Sequence, residues 1–217
     1  SDLVLVRTDE IVYILSMNGT SFGAPVTVTT GDIDGELPMR DNATTVLFAD
    51  MNGSGSSDVV WIDAQGNVRY LELFAAQPNL LTRIENDLGM VTEVSYITSV
   101  QASARARAQG SPWTSSLRFP TTLVDQTVVY DELTDLRQRV GYVYASPFFD
   151  GVEKAYRGFS DVVVEQAPTP FSAGKTSTLR YDVGRDDPYR AGMELGSQID
   201  SDGVPLQRIE NTWTDCD

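Results

Sequence analysis

Histidine is absent from all 217 residues of this chain. That removes Ser-His-Asp and Cys-His nucleophile pairs, histidine-ligated zinc and the commonest general base. Cysteine occurs once, as Cys216 at the extreme C-terminus, so no internal disulfide is available and the redox compartment stays open. Long apolar runs are missing too. None approaches the ~18–20 residues that span a bilayer, so no membrane span is expected in this chain. The opening "SDLVLVRTDE" lacks the basic flank and apolar stretch of a signal peptide, so any export signal is expected outside this chain. Cations are scarce: 16 Lys and Arg stand against 31 Asp and Glu, a net charge of −15. That charge repels phosphate backbones and anionic membrane surfaces, and nucleic acid is not an expected partner.

Carboxylates are plentiful, and paired acids of the glycosidase kind remain open. With so many acids, chance pairings abound, and no pair has a distinguishing context. Hydrophobic residues make up 41% of the chain, enough for one large all-β domain or two smaller ones.

The stretch "FADMNGSGSSDVVWI", Phe48 to Ile62, sets Asp50, Asn52, Ser54 and Asp58 at positions one, three, five and nine of a glycine-rich loop. Alternate oxygen ligands with a glycine at position six, here Gly55, are the pattern of calcium loops. An EF-hand is excluded, because position twelve is Trp61 and the flanks "VLFAD" and "DVVWI" read as strands. The loop resembles the calcium loops of FG-GAP propeller repeats. The resemblance implies Asp50, Asn52, Ser54, the carbonyl of Ser56, and Asp58 as ligands. With two carboxylates, its affinity falls in the weak extracellular range of about 0.1 to 1 mM. Asp, Asn, Gly and Ser are also ordinary turn formers, so an empty turn of the same shape is the competing reading.

An internal repeat surrounds this loop. "SDLVLV" at Ser1 aligns with "SDVVWI" at Ser57, and after five intervening residues "VYIL" at Val12 aligns with "VRYL" at Val68, a constant offset of 56. Each copy reads as a hairpin, and repetition of hairpins implies propeller blades. Two units cannot close a propeller, so the chain is expected to be a fragment of a longer parent. Between the copies come a turn at Asn18-Gly19, a strand at Val26 to Thr30, and an acidic loop with Asp32, Asp34 and Glu36. That loop reads better as a solvated turn than as a second metal site.

Beyond Pro78 the repeat stops and long β-rich runs dominate, among them "VTEVSYITSV", "TTLVDQTVVYDE", "RQRVGYVYAS" and "SDVVVEQA". Hairpins are expected to turn at Asp131 to Asp135 and at Asp202-Gly203. "SVQASARARAQG" suits a helix or a flexible loop, and its Arg105 and Arg107 are too few to offset the overall charge. In "FFDGVEKAYRGF", Asp150-Gly151 is expected to make a tight turn followed by a strand ending near Gly158. Alternation would then set Tyr156 and Phe159 on opposite faces. Trp113, Phe119, Tyr142, Tyr144, Phe148, Phe149, Tyr156 and Phe159 read as sheet core and cross-strand pairs rather than a sugar-binding surface.

The segments "LLTRIENDLGMVTEVSYITSV", "PWTSSLRFPTTLVDQTVVYDE", "YVYASPFFDGVEKAYRGFSDVVVE" and "MELGSQIDSDGVPL" resemble, in that order, the B component of bacterial insecticidal toxin complexes. They are also similar to the SpvB-like and Rhs/YD-repeat shell proteins. The resemblance implies an all-β chain: FG-GAP-like propeller-type hairpin repeats over 1–78, then long antiparallel strands of an Rhs-like shell over 79–217. It implies a secreted, non-enzymatic structural section that helps encapsulate and deliver a toxic C-terminal enzyme. Its partners would be toxin-complex A and C type components or the rest of its own parent chain. The autoproteolytic aspartates of the C component have no counterpart here, so no processing residue is carried over. Two alternatives stand beside this reading: a calcium-dependent adhesion or recognition module with FG-GAP blades, and a carbohydrate-active enzyme using paired acids.

Overall fold

In the computed structural model, residues 2–39, 41–75, 77–115, 117 and 119–214 are described; Cys216 lies outside them. The protein is all-β with antiparallel sheets, and it divides into two compact units, one of Ser1–Met51 and Ser57–Phe74, the other of Asn52–Ser56 and Ala75–Asp217.

The first unit holds β1 (Leu3–Val6), β2 (Glu10–Ile14), β3 (Ser16–Met17), β4 (Ser21–Phe22), β5 (Val26–Thr29), β6 (Thr45–Ala49), β7 (Asp58–Ile62) and β8 (Val68–Leu71). They form two three-stranded sheets, β1-β2-β5 and β6-β7-β8, with β3-β4 as a small hairpin. The 56-residue repeat is thus a repeat of hairpins, but the two copies pair one residue out of step. Val59 faces Leu71 in the second copy, whereas its equivalent Leu3 faces Ile14 rather than Leu15. The cause lies in the turns. Arg7 N–H donates to the Glu10 carbonyl and closes the first hairpin early. In the second, the Asp63 carboxylate accepts from the backbone of Gln65 and Asn67 and supports a longer turn. Asn18 and Gly19 both take positive φ at the tip of β3-β4, as the Asn-Gly dipeptide foretells. Asp32 accepts from both the N–H and the hydroxyl of Thr29, so in the acidic loop it acts as a cap. Val6, Ile11, Val59 and Trp61 form the core of this unit. Each fully buried aliphatic side chain there contributes about 1.5–3 kcal/mol.

The second unit is one eight-stranded antiparallel meander, with every strand paired to its neighbour in sequence. Its strands are β9 (Arg83–Glu85), β10 (Met90–Thr98), β11 (Thr122–Asp131), β12 (Arg137–Asp150), β13 (Ala155–Gln166), β14 (Lys175–Tyr181), β15 (Glu194–Ser201) and β16 (Val204–Glu210). β-branched residues such as the Val128-Val129 and Val162 to Val164 runs favour this extended lattice. The hairpins turn where expected, between Asp131 and Arg137 and at Asp202-Gly203, whose φ angles are both positive.

"SVQASARARA" is a helix, α1 (Ser99–Ala108), inserted between β10 and β11. Thr98 and Gln101 form a reciprocal capping box at its start. Its end is a Schellman turn, with Gly110 N–H on the Arg107 carbonyl and Ser111 N–H on the Ala106 carbonyl.

One expectation fails in detail. The chain after Asp150 does not resume as a strand at Val152: residues 151–154 are turn, and the strand runs from Ala155 to Gln166, past Gly158. The positive φ falls on Lys154 rather than Gly151. Asp150 sets this turn by accepting from the N–H groups of Val152 and Glu153 at 2.9 and 3.1 Å.

Candidate functional site

The glycine-rich loop leaves β6 and enters β7. Asp58 opens β7 and is fully buried, and its Oδ2 accepts from Met51 N–H at 2.8 Å within the first unit. In the second unit, Asn52 Oδ1 accepts from Ser54 N–H at 2.8 Å and Ser54 Oγ accepts from Ser56 N–H at 3.3 Å. Ser54 and Ser56 are buried, and the Ser56 hydroxyl has no hydrogen-bond partner among the described residues. Asp50 is half-buried and Asn52 exposed.

These side chains offer carboxylate, amide and hydroxyl oxygens, the donor chemistry of a hard cation. The loop carries only two carboxylates, and among the described residues no group of three or more Asp, Glu or Cys side chains is placed to hold a metal. Positive φ at Gly53 and Gly55 lets the chain turn between successive donors.

Sequence reasoning missed what holds this loop. Thr98, at the end of β10, donates its hydroxyl to the Gly53 carbonyl at 2.5 Å and accepts from Gln101 N–H at 3.2 Å. A Cβ on Gly53 would lie 2.6 Å from Val100 Cγ1. A threonine 45 positions away gives no sequence signal of such a contact, although the Thr98-to-Gln101 spacing does signal the helix cap.

The aromatic residues assemble as core. Ile97, Leu123 and Phe159 are buried, with Trp113, Tyr144, Tyr156 and Val162 packed on them. Phe159 meets Trp113 and Tyr144 at 5.3 and 5.1 Å between ring centroids, and Phe119 meets Phe149 and Tyr156 at 5.5 and 6.1 Å. The segment after α1 supplies Trp113, whose indole N–H donates to the Tyr144 carbonyl at 2.7 Å, and Ser115, whose hydroxyl donates to the Pro147 carbonyl. Burial, then the neighbouring Tyr144, pushes the Tyr156 hydroxyl up to about 12. Phe148 lies apart beneath the Arg185 guanidinium, 5.0 Å from its ring centroid. Arg105 pairs with Asp125 at 2.6 Å, so it is engaged within its own unit.

Comparison with curated proteins gives no match. Among solved structures, a chain of the Photorhabdus luminescens Tc holotoxin pore aligns over 92% of this chain and 12% of its own, at 20% identity and a TM-score of 0.75. The TcdB2–TccC3 complex aligns over 92% and 12%, at 20% identity and a TM-score of 0.74. The same complex without its hypervariable C-terminal region aligns over 96% and 13%, at 21% identity and a TM-score of 0.76. At these identities the likeness is one of fold, and this chain spans only 12 to 13% of the length of those solved chains. The sequence pattern of the insecticide toxin TcdB middle/N-terminal region matches residues 18–183. That is more than half of the chain, which therefore belongs to the insecticide toxin TcdB middle/N-terminal family.

Proposed function

We propose that this chain is a non-catalytic structural section of a toxin-complex B-type protein, helping to encapsulate and deliver a toxic enzyme. The observation that carries this reading is the eight-stranded sheet. Its strands run to 14 residues, every connection is antiparallel, and all seven residues of its edge strand β16 are exposed. An open edge and a long meander suit a wall that continues into further strands of a parent chain. The first unit, with its repeated hairpins, is read as FG-GAP-like propeller blades over 1–78, and 79–217 as shell. Its partners are A and C type toxin-complex components or the rest of the parent, in a secreted assembly. The absence of histidine from the chain supports a non-enzymatic role. The loop from Asp50 to Asp58 is read as a weak calcium site on the strength of its oxygen spacing.

The test uses the intact parent protein assembled with its C-type partner. Phe159→Asp, in the aromatic core, is expected to expose the cargo enzyme to added protease while leaving the activity of free cargo unchanged. Undiminished protection in a variant shown to have lost the sheet core would overturn the reading.

A further inference from the structure

We infer that Thr98 is the positioning residue of the glycine-rich loop, holding the path of Asn52–Ser56 and through it setting the loop's grip on a divalent cation. The second half rests on the calcium reading above.

Thr98 is 5% exposed. A threonine hydroxyl has one proton to give and two lone pairs to receive. The Gln101 amide is itself a donor, so the Thr98 proton is committed to the Gly53 carbonyl, 2.5 Å away. On the other flank, Val100 approaches Gly53 so closely that only glycine fits, and Gly53 is held at φ +74. A Cβ at Gly55 would stand 3.7 Å from the Thr98 methyl. One side chain therefore bonds the backbone just before Ser54, the donor at position five, and stands close to where a side chain at Gly55 would begin. A loop held in place beforehand loses less conformational freedom on taking its ligand.

Cap and latch are separable. Thr98→Asp still accepts from Gln101 N–H, because aspartate is a strong N-cap, but it has no proton for Gly53. Thr98→Ser keeps both bonds. Amide exchange of Asn52–Ser56 without calcium, and calorimetric titration with calcium, read the two halves. In Thr98→Asp the loop amides are expected to exchange about tenfold faster and calcium to bind about tenfold more weakly, the scale of one buried hydrogen bond. The affinity falls even though the added carboxylate favours a cation. Thr98→Ser stays within about twofold of wild type on the same scale. Should Thr98→Asp fail to fold by far-UV circular dichroism, Val100→Ala removes the packing on Gly53, leaves cap and donor, and should speed the same amides. Wild-type exchange and wild-type affinity in the folded variant overturn the inference alone. A wild-type protein that takes up no calcium overturns the calcium reading and the inference with it.

Discussion

The rings of Tyr156 and Phe159 meet edge to face with centroids 6.1 Å apart, although residues three apart on a regular strand point to opposite faces. The β12–β13 register shifts between Phe148 and Phe149, opposite Gly158, whose φ of +94 only glycine adopts without strain. The irregularity brings both aromatics into one cluster and leaves neither for the far face. Tyr156→Ala is expected to cost on the order of 2–4 kcal/mol in denaturant unfolding. A loss below about 0.5 kcal/mol would place Tyr156 at the surface.

The same tyrosine gives the sheet an alkaline sensitivity. Its hydroxyl is pushed up to about 12, first by burial and then by Tyr144, above the unfolded value near 10. A group raised in the folded state binds its proton more tightly there. Its contribution is fully present below about pH 10 and is lost as pH rises through about 12. Tyr156→Phe should flatten the melting temperature over that window; equal slopes in both proteins would refute the assignment.

Asp150 titrates at the opposite end. The N–H groups of Glu153 and Val152, then Arg157, hold its carboxyl below the usual carboxylate range. A depressed value means stability that is present above the unfolded value of about 3.9 and lost as pH falls through the folded one. Asp150→Asn should therefore be less stable than wild type at pH 7, and the gap should close as pH drops below about 4. A gap independent of pH would assign the effect to turn geometry rather than charge.

What the sequence reveals and what it hides divide along physical lines. Asp202-Gly203 and Asn18-Gly19 announce their turns because few residues tolerate positive φ, and both pairs take it. The β-branched runs of β11 and β13 announce strands for a similarly local reason. Lys154 gives no such signal: its positive φ is imposed by the amides that Asp150 gathers. The one-residue slip between Leu3 and Val59 hairpins depends on turn length, which an alignment of equal-length copies conceals. In the loop, the spacing from Asp50 to Asp58 is legible. The hold of Thr98 on Gly53 is not, since a contact 45 residues long leaves no periodicity behind.

Two tryptophans provide an internal comparison. The Trp113 indole N–H donates to the Tyr144 carbonyl at 2.7 Å, whereas the buried Trp61 Nε1 has no hydrogen-bond partner among the described residues. Removing a made bond from a buried acceptor costs about 1–3 kcal/mol, while removing an unsatisfied donor relieves a penalty. Trp113→Phe should consequently lose more stability than Trp61→Phe, as measured by urea unfolding, despite the deeper burial of Trp61 at 3% exposure. The reverse order would show that packing volume outweighs the polar term at both sites.

The calcium reading of the glycine-rich loop calls for substitutions that separate metal from fold. Asp58 is fully buried and accepts from Met51 N–H at 2.8 Å, so Asp58→Ala strands that amide and should destabilise the protein by about 1–3 kcal/mol even in EDTA. Its failure to respond to calcium would then prove little. Asp58→Asn keeps an oxygen for Met51 but halves the carboxylate charge of the loop. The wild-type melting temperature should rise with calcium above about 0.1 to 1 mM, approaching about 2.7 kcal/mol of stabilisation at one hundred times the dissociation constant. Asp58→Asn should start near the wild-type temperature in EDTA and rise little or not at all. Magnesium should be the poorer ligand, because it demands rigid octahedral geometry and gives up water reluctantly. A wild-type melting temperature that stays flat from EDTA to about 10 mM calcium, well past the expected range, would leave the loop as a turn closed by its own hydrogen bonds.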